Sequence, residues 1–316
     1  MAGQNRFTGR FWKSCRKPIF LKKSMILLQN NSLQVHIEPP QSGYLSSRFD
    51  WTGKIIKVLF KDSPVTGVER PEWSDLPVGG KGLFNEFGMN KPVGFEETAI
   101  GDWFQKIGVG LLKKEEAQYI FNKDYQVRPA TFSFKQEDQK LTIHCESEQV
   151  NGYAYHLEKT IALVDRQIII SYQLHNTSEK AIITDEYTHN FLAIDQGLMG
   201  RDYQLSFPFT IQPDAFGETV NPEEKLEVGQ KDFRFTGTPE EQFFFSNLSG
   251  NQSVAARWEL RHHTSRLGIR ERGSFLTSSV NLWGWKHVIS PELFFEVAVE
   301  AGELCEWTRK YEVFRF

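Results

Sequence analysis

The sequence predicts an all-β fold, a large antiparallel β-sandwich, on three observations. Apolar residues recur with period two, which is the spacing of side chains that alternate between the faces of a sheet. Helical stripes are hard to find. The 316 residues also include 26 Phe, 8 Trp and 9 Tyr, aromatic volume enough for a large buried core. Without helical runs between strands, packed antiparallel layers are favoured over a parallel α/β fold. No repeat, low-complexity tract or linker divides the chain, so a single domain is expected, a length that all-β sandwiches often reach.

Residues 1–24 carry Arg6, Arg10, Lys13, Arg16, Lys17, Lys22 and Lys23 and no acid. This basic head reads as a poorly ordered extension, either a targeting segment or an over-extended start, because Met25 directly precedes the first alternating stretch. The domain is therefore expected over 25–316. Ser46 to Trp51 follows, bringing Arg48, Asp50 and an indole together. Pro64 to Pro92 is rich in Gly, Pro and polar residues and reads as a long irregular excursion, the kind that is often functional. Its Gly79-Gly80-Lys81-Gly82 piece is neither a phosphate loop nor a dinucleotide fingerprint.

Strands are expected over 141–148, 153–163, 167–174, 182–194, 254–259, 293–300 and 305–314, all rich in β-branched and aromatic residues. The excursion 196–230, broken by Pro208, Pro213 and Pro222, separates the fourth from the fifth. The last two strands read as a hairpin turning at Ala301-Gly302-Glu303, each with one apolar face. Just before it, Pro291 is expected to interrupt the ladder and leave Glu292 at a rim, in phase with the solvated Glu296 and Glu300.

Composition excludes several functions. A net charge of -3, with the acidic excess in the body, argues against binding a phosphate backbone. No run approaches the roughly 20 apolar residues of a membrane helix, so a soluble, cytoplasmic protein is expected. Cys15, Cys145 and Cys305 are odd in number and far apart, which suggests neither a disulfide framework nor a zinc site. His262-His263 lacks the partners of a metal set, and there is no G-x-S-x-G elbow. No cofactor, metal or nucleic acid is expected, and the oligomeric state is not legible.

What remains is a histidine. On a regular strand Ile183, Asp185, Tyr187, His189 and Phe191 share one face, while Thr184, Glu186, Thr188 and Asn190 share the other. Imidazole exchanges protons near neutral pH, and aromatic floors with a few placed polar groups suit the C–H faces and polar rim of a sugar. A core histidine held by a backbone carbonyl fits the same pattern, and periodicity leaves both readings open. Trp283, Trp285, His287 and Glu292 form a second cluster; Asn85-Glu86 and Lys106 add polar groups beside aromatic or small residues.

Taken in order, Ser47-Arg48-Phe49-Asp50-Trp51, Lys106-Ile107-Gly108-Val109-Gly110, Thr188-His189-Asn190-Phe191 with Asp195, and Ser290-Pro291-Glu292 before Ala301-Gly302-Glu303 and Trp307 resemble the galactose mutarotase-like, or aldose 1-epimerase, superfamily. The resemblance spans about residues 33–316. It implies a sandwich whose broad sheet holds a sugar and a cofactor-free isomerase that interconverts α and β anomers. Carried onto this chain, it implies His189 as general acid, Glu292 as base and Arg48 as a sugar-binding arginine. Asp50, Trp51, Glu86, Lys106, Asn190, Asp195 and Trp285 complete the candidate substrate-binding set. The family's second histidine has no convincing counterpart here. The competing expectations are a non-catalytic carbohydrate-binding sandwich, a polysaccharide-processing enzyme on the same fold, and a sugar-phosphate epimerase, which would demand a basic cluster that scattered Arg128 and Arg201 do not make.

Overall fold

The computed structural model describes residues 25–73, 77 and 79–316. The basic head thus lies outside the described residues. Every strand pair in the described chain is antiparallel, arranged in sheets of seven, ten, four and three strands. The fold is an all-β sandwich of the class the alternation predicts.

One layer is the ten-stranded sheet, centred on Val254–His262, Leu267–Thr277, Leu304–Arg315, Gln167–Asn176 and Tyr155–Val164. The facing layer is the seven-stranded sheet, which runs in order from Ile26–Gln29 through Leu33–Glu38, Lys54–Phe60, Leu83–Phe87 and Ile182–Asn190 to Phe295–Val299. We call Ile182–Asn190 the histidine strand. The four-stranded sheet continues this layer beyond it: Leu192 and Ile289 exchange both backbone hydrogen bonds at 3.1 Å. Its edge strand, Val288–Leu293, is here the glutamate strand, and Val280–Trp285 pairs with it.

Aromatic rings fill the space between the layers. Phe87 of the seven-stranded sheet packs edge-on to Tyr172 and Trp307 of the ten-stranded one, and Phe245 of the four-stranded sheet meets Phe233 across the gap. Burial of such side chains, each worth about 1.5–3 kcal/mol, is the main force holding layer to layer.

Three expectations are corrected. The excursion 64–92 contains a strand, Leu83–Phe87, buried at all five positions in the middle of the sheet. Both its faces are covered, so it lacks the polar–apolar alternation by which strands were found. The closing hairpin is not one: Phe295–Val299 pairs with the histidine strand and Leu304–Arg315 with two strands of the other layer. The turn at 301–303 is a corner between layers, with Gly302 at φ +80°. Finally, Pro291 sits inside a strand, tolerated because the glutamate strand is an edge and spends no ladder hydrogen bond on that position.

Candidate functional site

The histidine strand and its neighbour carry alternate residues to the side of the layer facing away from the core. Register sets Tyr187 opposite Glu86 and His189 opposite Phe84, so these four side chains share that face. On the glutamate strand Ser290 and Glu292 lie opposite Trp283 and Asn281. Strand parity had put Glu292 with the solvated Glu296 and Glu300. Phe294 interrupts the strand between them, the phase is reset, and Glu292 is only 4% exposed.

A pocket of about 390 Å³ opens on this face, with Arg48, Tyr187, His189, Trp283 and Glu292 in its wall. His189 stacks flat on Phe191, with centroids 4.2 Å apart and planes 6° from parallel, and Trp283 stands edge-on at 5.0 Å. Its Nε2 lies 3.5 Å from Glu292 Oε1. Its Nδ1 is buried without a hydrogen-bond partner, so the carbonyl clamp of a structural histidine is missing. Burial, with a further push from the Arg48 charge, holds the imidazole well below its usual 6.5.

Burial pushes the Glu292 carboxyl up to about 8, against the opposing pull of Arg48 and a hydrogen bond from Ser290. Ser290 Oγ donates to Glu292 Oε1 at 3.2 Å and accepts the Asn190 backbone N–H at 2.9 Å, tying the acid to the histidine strand. Burial thus favours the neutral form of both partners.

Arg48 lies across the pocket. Its Nε donates to Glu86 Oε2 at 3.0 Å and its Nη2 to Tyr187 Oη at 3.0 Å, while its guanidinium packs on Phe49 and Phe121. Tyr187 itself donates to Glu86 at 2.8 Å, and Lys106 Nζ reaches the other Glu86 oxygen at 3.2 Å. Glu86 is therefore a fully buried hub that balances two cations and aims the arginine.

The structure brings His189, Glu292 and Arg48 together and sets Glu86 and Lys106 directly behind the arginine. The other five candidates lie elsewhere. Asp50 is buried in the interior, bonded to Thr52 and ion-paired with Lys159 at 3.2 Å. Trp51 packs against Phe132 in a separate aromatic cluster and donates to the Ser46 carbonyl. Asn190 has the opposite parity to His189; its amide donates to the Pro291 carbonyl at 2.6 Å, fastening the two sheets. Asp195 is exposed in a 3₁₀ turn beyond the strand, at φ 56°. Trp285 shares the face of Trp283 but lies two residues farther along, where its indole donates to the Glu240 carbonyl.

Sequence reasoning missed Glu69, Met89, Phe121, Asn122, Glu218, Gln242 and Phe244, which complete the pocket wall. Most come from irregular or short segments that carry no periodicity, although both long excursions had been singled out by their length. Gly80 is part of the support. A Cβ there would fall 1.8 Å from the Phe191 ring, so the glycine-rich piece lies flat beneath the ring that carries the imidazole. No group of three or more His, Cys, Asp or Glu side chains among the described residues is placed to hold a metal, and no described helix is long and apolar enough to cross a membrane.

No family model matches the sequence, and no curated protein aligns with it. Solved structures do share its architecture. A candidate aldose 1-epimerase from Escherichia coli K12 superposes with a TM-score of 0.59 at 10% identity, covering 93% of this chain and 99% of its own. A galactose mutarotase-like protein from Lactobacillus casei ATCC 334 gives 0.54 at 14% identity, over 92% and 100%. A galactose mutarotase related enzyme from Lactobacillus acidophilus gives 0.56 at 10% identity, over 92% and 97%. Identities this low speak to architecture alone, and on that the topology and the superpositions agree: this chain has the galactose mutarotase-like fold.

Proposed function

We propose that the pocket binds the ring form of a free aldose and exchanges its α and β anomers by proton transfer between the sugar and the His189–Glu292 pair. The observation that carries this reading is the pair itself: a neutral base and a neutral acid 3.5 Å apart, on different strands, in an aromatic pocket.

Ring opening removes the anomeric hydroxyl proton and delivers one to the ring oxygen, so an acid and a base must act together. The family resemblance makes His189 the acid and Glu292 the base. The electrostatics favour the reverse resting state, with the proton on Glu292 and the unprotonated imidazole free to accept. After rotation about the neighbouring carbon–carbon bond, reversing both transfers closes the ring on its other face and returns the pair to its starting state. Arg48, held by Glu86 and Tyr187, supplies a fixed donor to hydroxyls, and Trp283 and Phe244 offer apolar surface to the C–H face. A free sugar suits this wall better than a phosphorylated one, because Glu69 and Glu218 stand at the pocket and Arg48 is already paired with Glu86.

Polarimetry on freshly dissolved pure anomers tests the proposal. The wild type should accelerate equilibration of an accepted aldose, and His189→Asn and Glu292→Gln should each lower the rate about 10²–10⁴-fold while leaving the thermal unfolding transition in place. Wild-type rates in both variants would sink the assignment. Buffer rates with retained sugar binding would identify a carbohydrate-binding sandwich instead.

A further inference from the structure

The ten-stranded sheet turns its other face to solvent, on the side of the molecule opposite the pocket. There the register sets Arg257 opposite Arg272, and Arg272 opposite Lys310. Three cations thus stand in one row across three adjacent strands, and like charges directly opposite one another destabilise a sheet. The neighbouring row shows the compensated alternative. Glu259, Arg270 and Glu312 alternate in sign, with Arg270 Nη2 donating to Glu312 at 2.8 Å and Nη1 to Glu259 at 3.4 Å.

Arg257, Arg272 and Lys310 have no ion pair or side-chain hydrogen bond among the described residues. Arg257 registers the crowding: burial, then the charges of Arg272 and Arg270, hold its guanidinium below the usual range. Arg272 and Lys310 border a depression of about 320 Å³, with the bare backbone of Gly273 and the hydroxyls of Ser274 and Thr308 beside them. Ser274 Oγ accepts the Thr308 N–H at 2.9 Å, which leaves its own proton to donate. The one carboxylate in the wall, Glu312, is already neutralised by Arg270.

We propose that this depression is an anion site for a phosphate group, taken either as the free ion or as a phosphomonoester. A dianion with several acceptor oxygens matches a guanidinium fork, an ammonium and two hydroxyl donors, and its charge would relieve the repulsion along the row. The site is separate from the pocket and does not depend on the activity proposed there.

Isothermal titration at low ionic strength, with inorganic phosphate and separately with glucose 6-phosphate, decides the matter. The wild type should bind one equivalent saturably, and Lys140→Gln, an exposed lysine on the same face three strands away, should bind equally well. Arg272→Gln combined with Lys310→Gln should weaken binding about tenfold or more. Tighter binding of the sugar phosphate would assign a monoester, whereas equal affinity would assign phosphate alone. Heats that never saturate, or equal affinity in wild type and double variant, would overturn the site. Circular dichroism melting in chloride confirms that the double variant is folded, and its midpoint should be no lower than that of wild type, since the substitutions remove like-charge repulsion.

Discussion

Burial favours one titratable proton on the pair, held on Glu292 and not on His189, and its position sets how the site responds to pH. Below neutrality the imidazole eventually protonates and the base is lost; above about 8 the carboxyl ionises and the acid is lost. The kcat/KM for anomer exchange should therefore be bell-shaped, falling as pH rises through about 8, with both limbs belonging to the pair. Stability should follow the same proton. The Glu292 carboxyl ordinarily titrates near 4.5 and does so near 8 in the folded protein. Its favourable contribution is complete below the ordinary value and is lost as pH rises through about 8. Glutamine keeps the neutral shape without the titration, so Glu292→Gln should raise the melting temperature relative to wild type at pH 9 but not at pH 4. An equal difference at both pH values would show that Glu292 is not held protonated.

At the level of single elements, the histidine strand explains why part of the site was legible. Side chains alternate between faces along its nine residues, so parity alone placed Tyr187 and His189 on one face and Asn190 on the other, although all but Ile183 are buried. Leu83–Phe87 also alternates in space, with Phe84 and Glu86 on the site's face and Asn85 and Phe87 toward the core, but polar and apolar residues do not sort by face. Covering both faces erases the polar–apolar alternation, and Glu86 could be flagged as polar but not assigned its task of aiming Arg48. Phe294 hid the burial of Glu292 in a different way, by resetting a phase that the sequence shows as continuous. The loop under Phe191 yields a mutational test. Gly80→Ala should force the ring away, costing about 1–3 kcal/mol of stability, and lower the exchange rate although residue 80 touches no sugar. Denaturant melts and polarimetry on that variant check both effects, and an unchanged rate would show that the stacked ring does not position the imidazole.

Over the whole molecule, the sandwich is closed by charge as well as by apolar burial. Behind the histidine strand, Arg309 of the ten-stranded sheet donates to Glu186 at 2.7 Å and to Glu271 at 2.6 Å, all three fully buried. Glu186 also takes the Trp307 indole and the Asn85 amide, and Asn85 in turn accepts from Lys159, which pairs with Asp50. Asp50 thus has a place in the interior network instead of in the pocket. Arg309→Met leaves two buried carboxylates unpaired and should destabilise the protein by about 3–5 kcal/mol, measured by urea unfolding. Adding Glu186→Gln and Glu271→Gln should recover much of that loss; if it does not, the network is not what couples the layers. The all-β class was readable because it depends on alternation within each strand. Which strands pair was not, as the supposed closing hairpin shows, because layer membership depends on contacts far apart in sequence.

The seam between the seven- and four-stranded sheets has an evolutionary consequence. The proposed base belongs to one sheet and the proposed acid to the other, and they are aligned by the Leu192–Ile289 bridge and the Ser290 hydroxyl. Arg48, Glu86 and Tyr187 are fixed on the first side alone. A shift of one sheet against the other by a fraction of an ångström would therefore part the pair and also carry Trp283 and Phe244, which stand on the four-stranded sheet, away from Arg48. Divergence at this seam would alter the proposed binding and turnover together, so separating the two requires side-chain changes and not a new register.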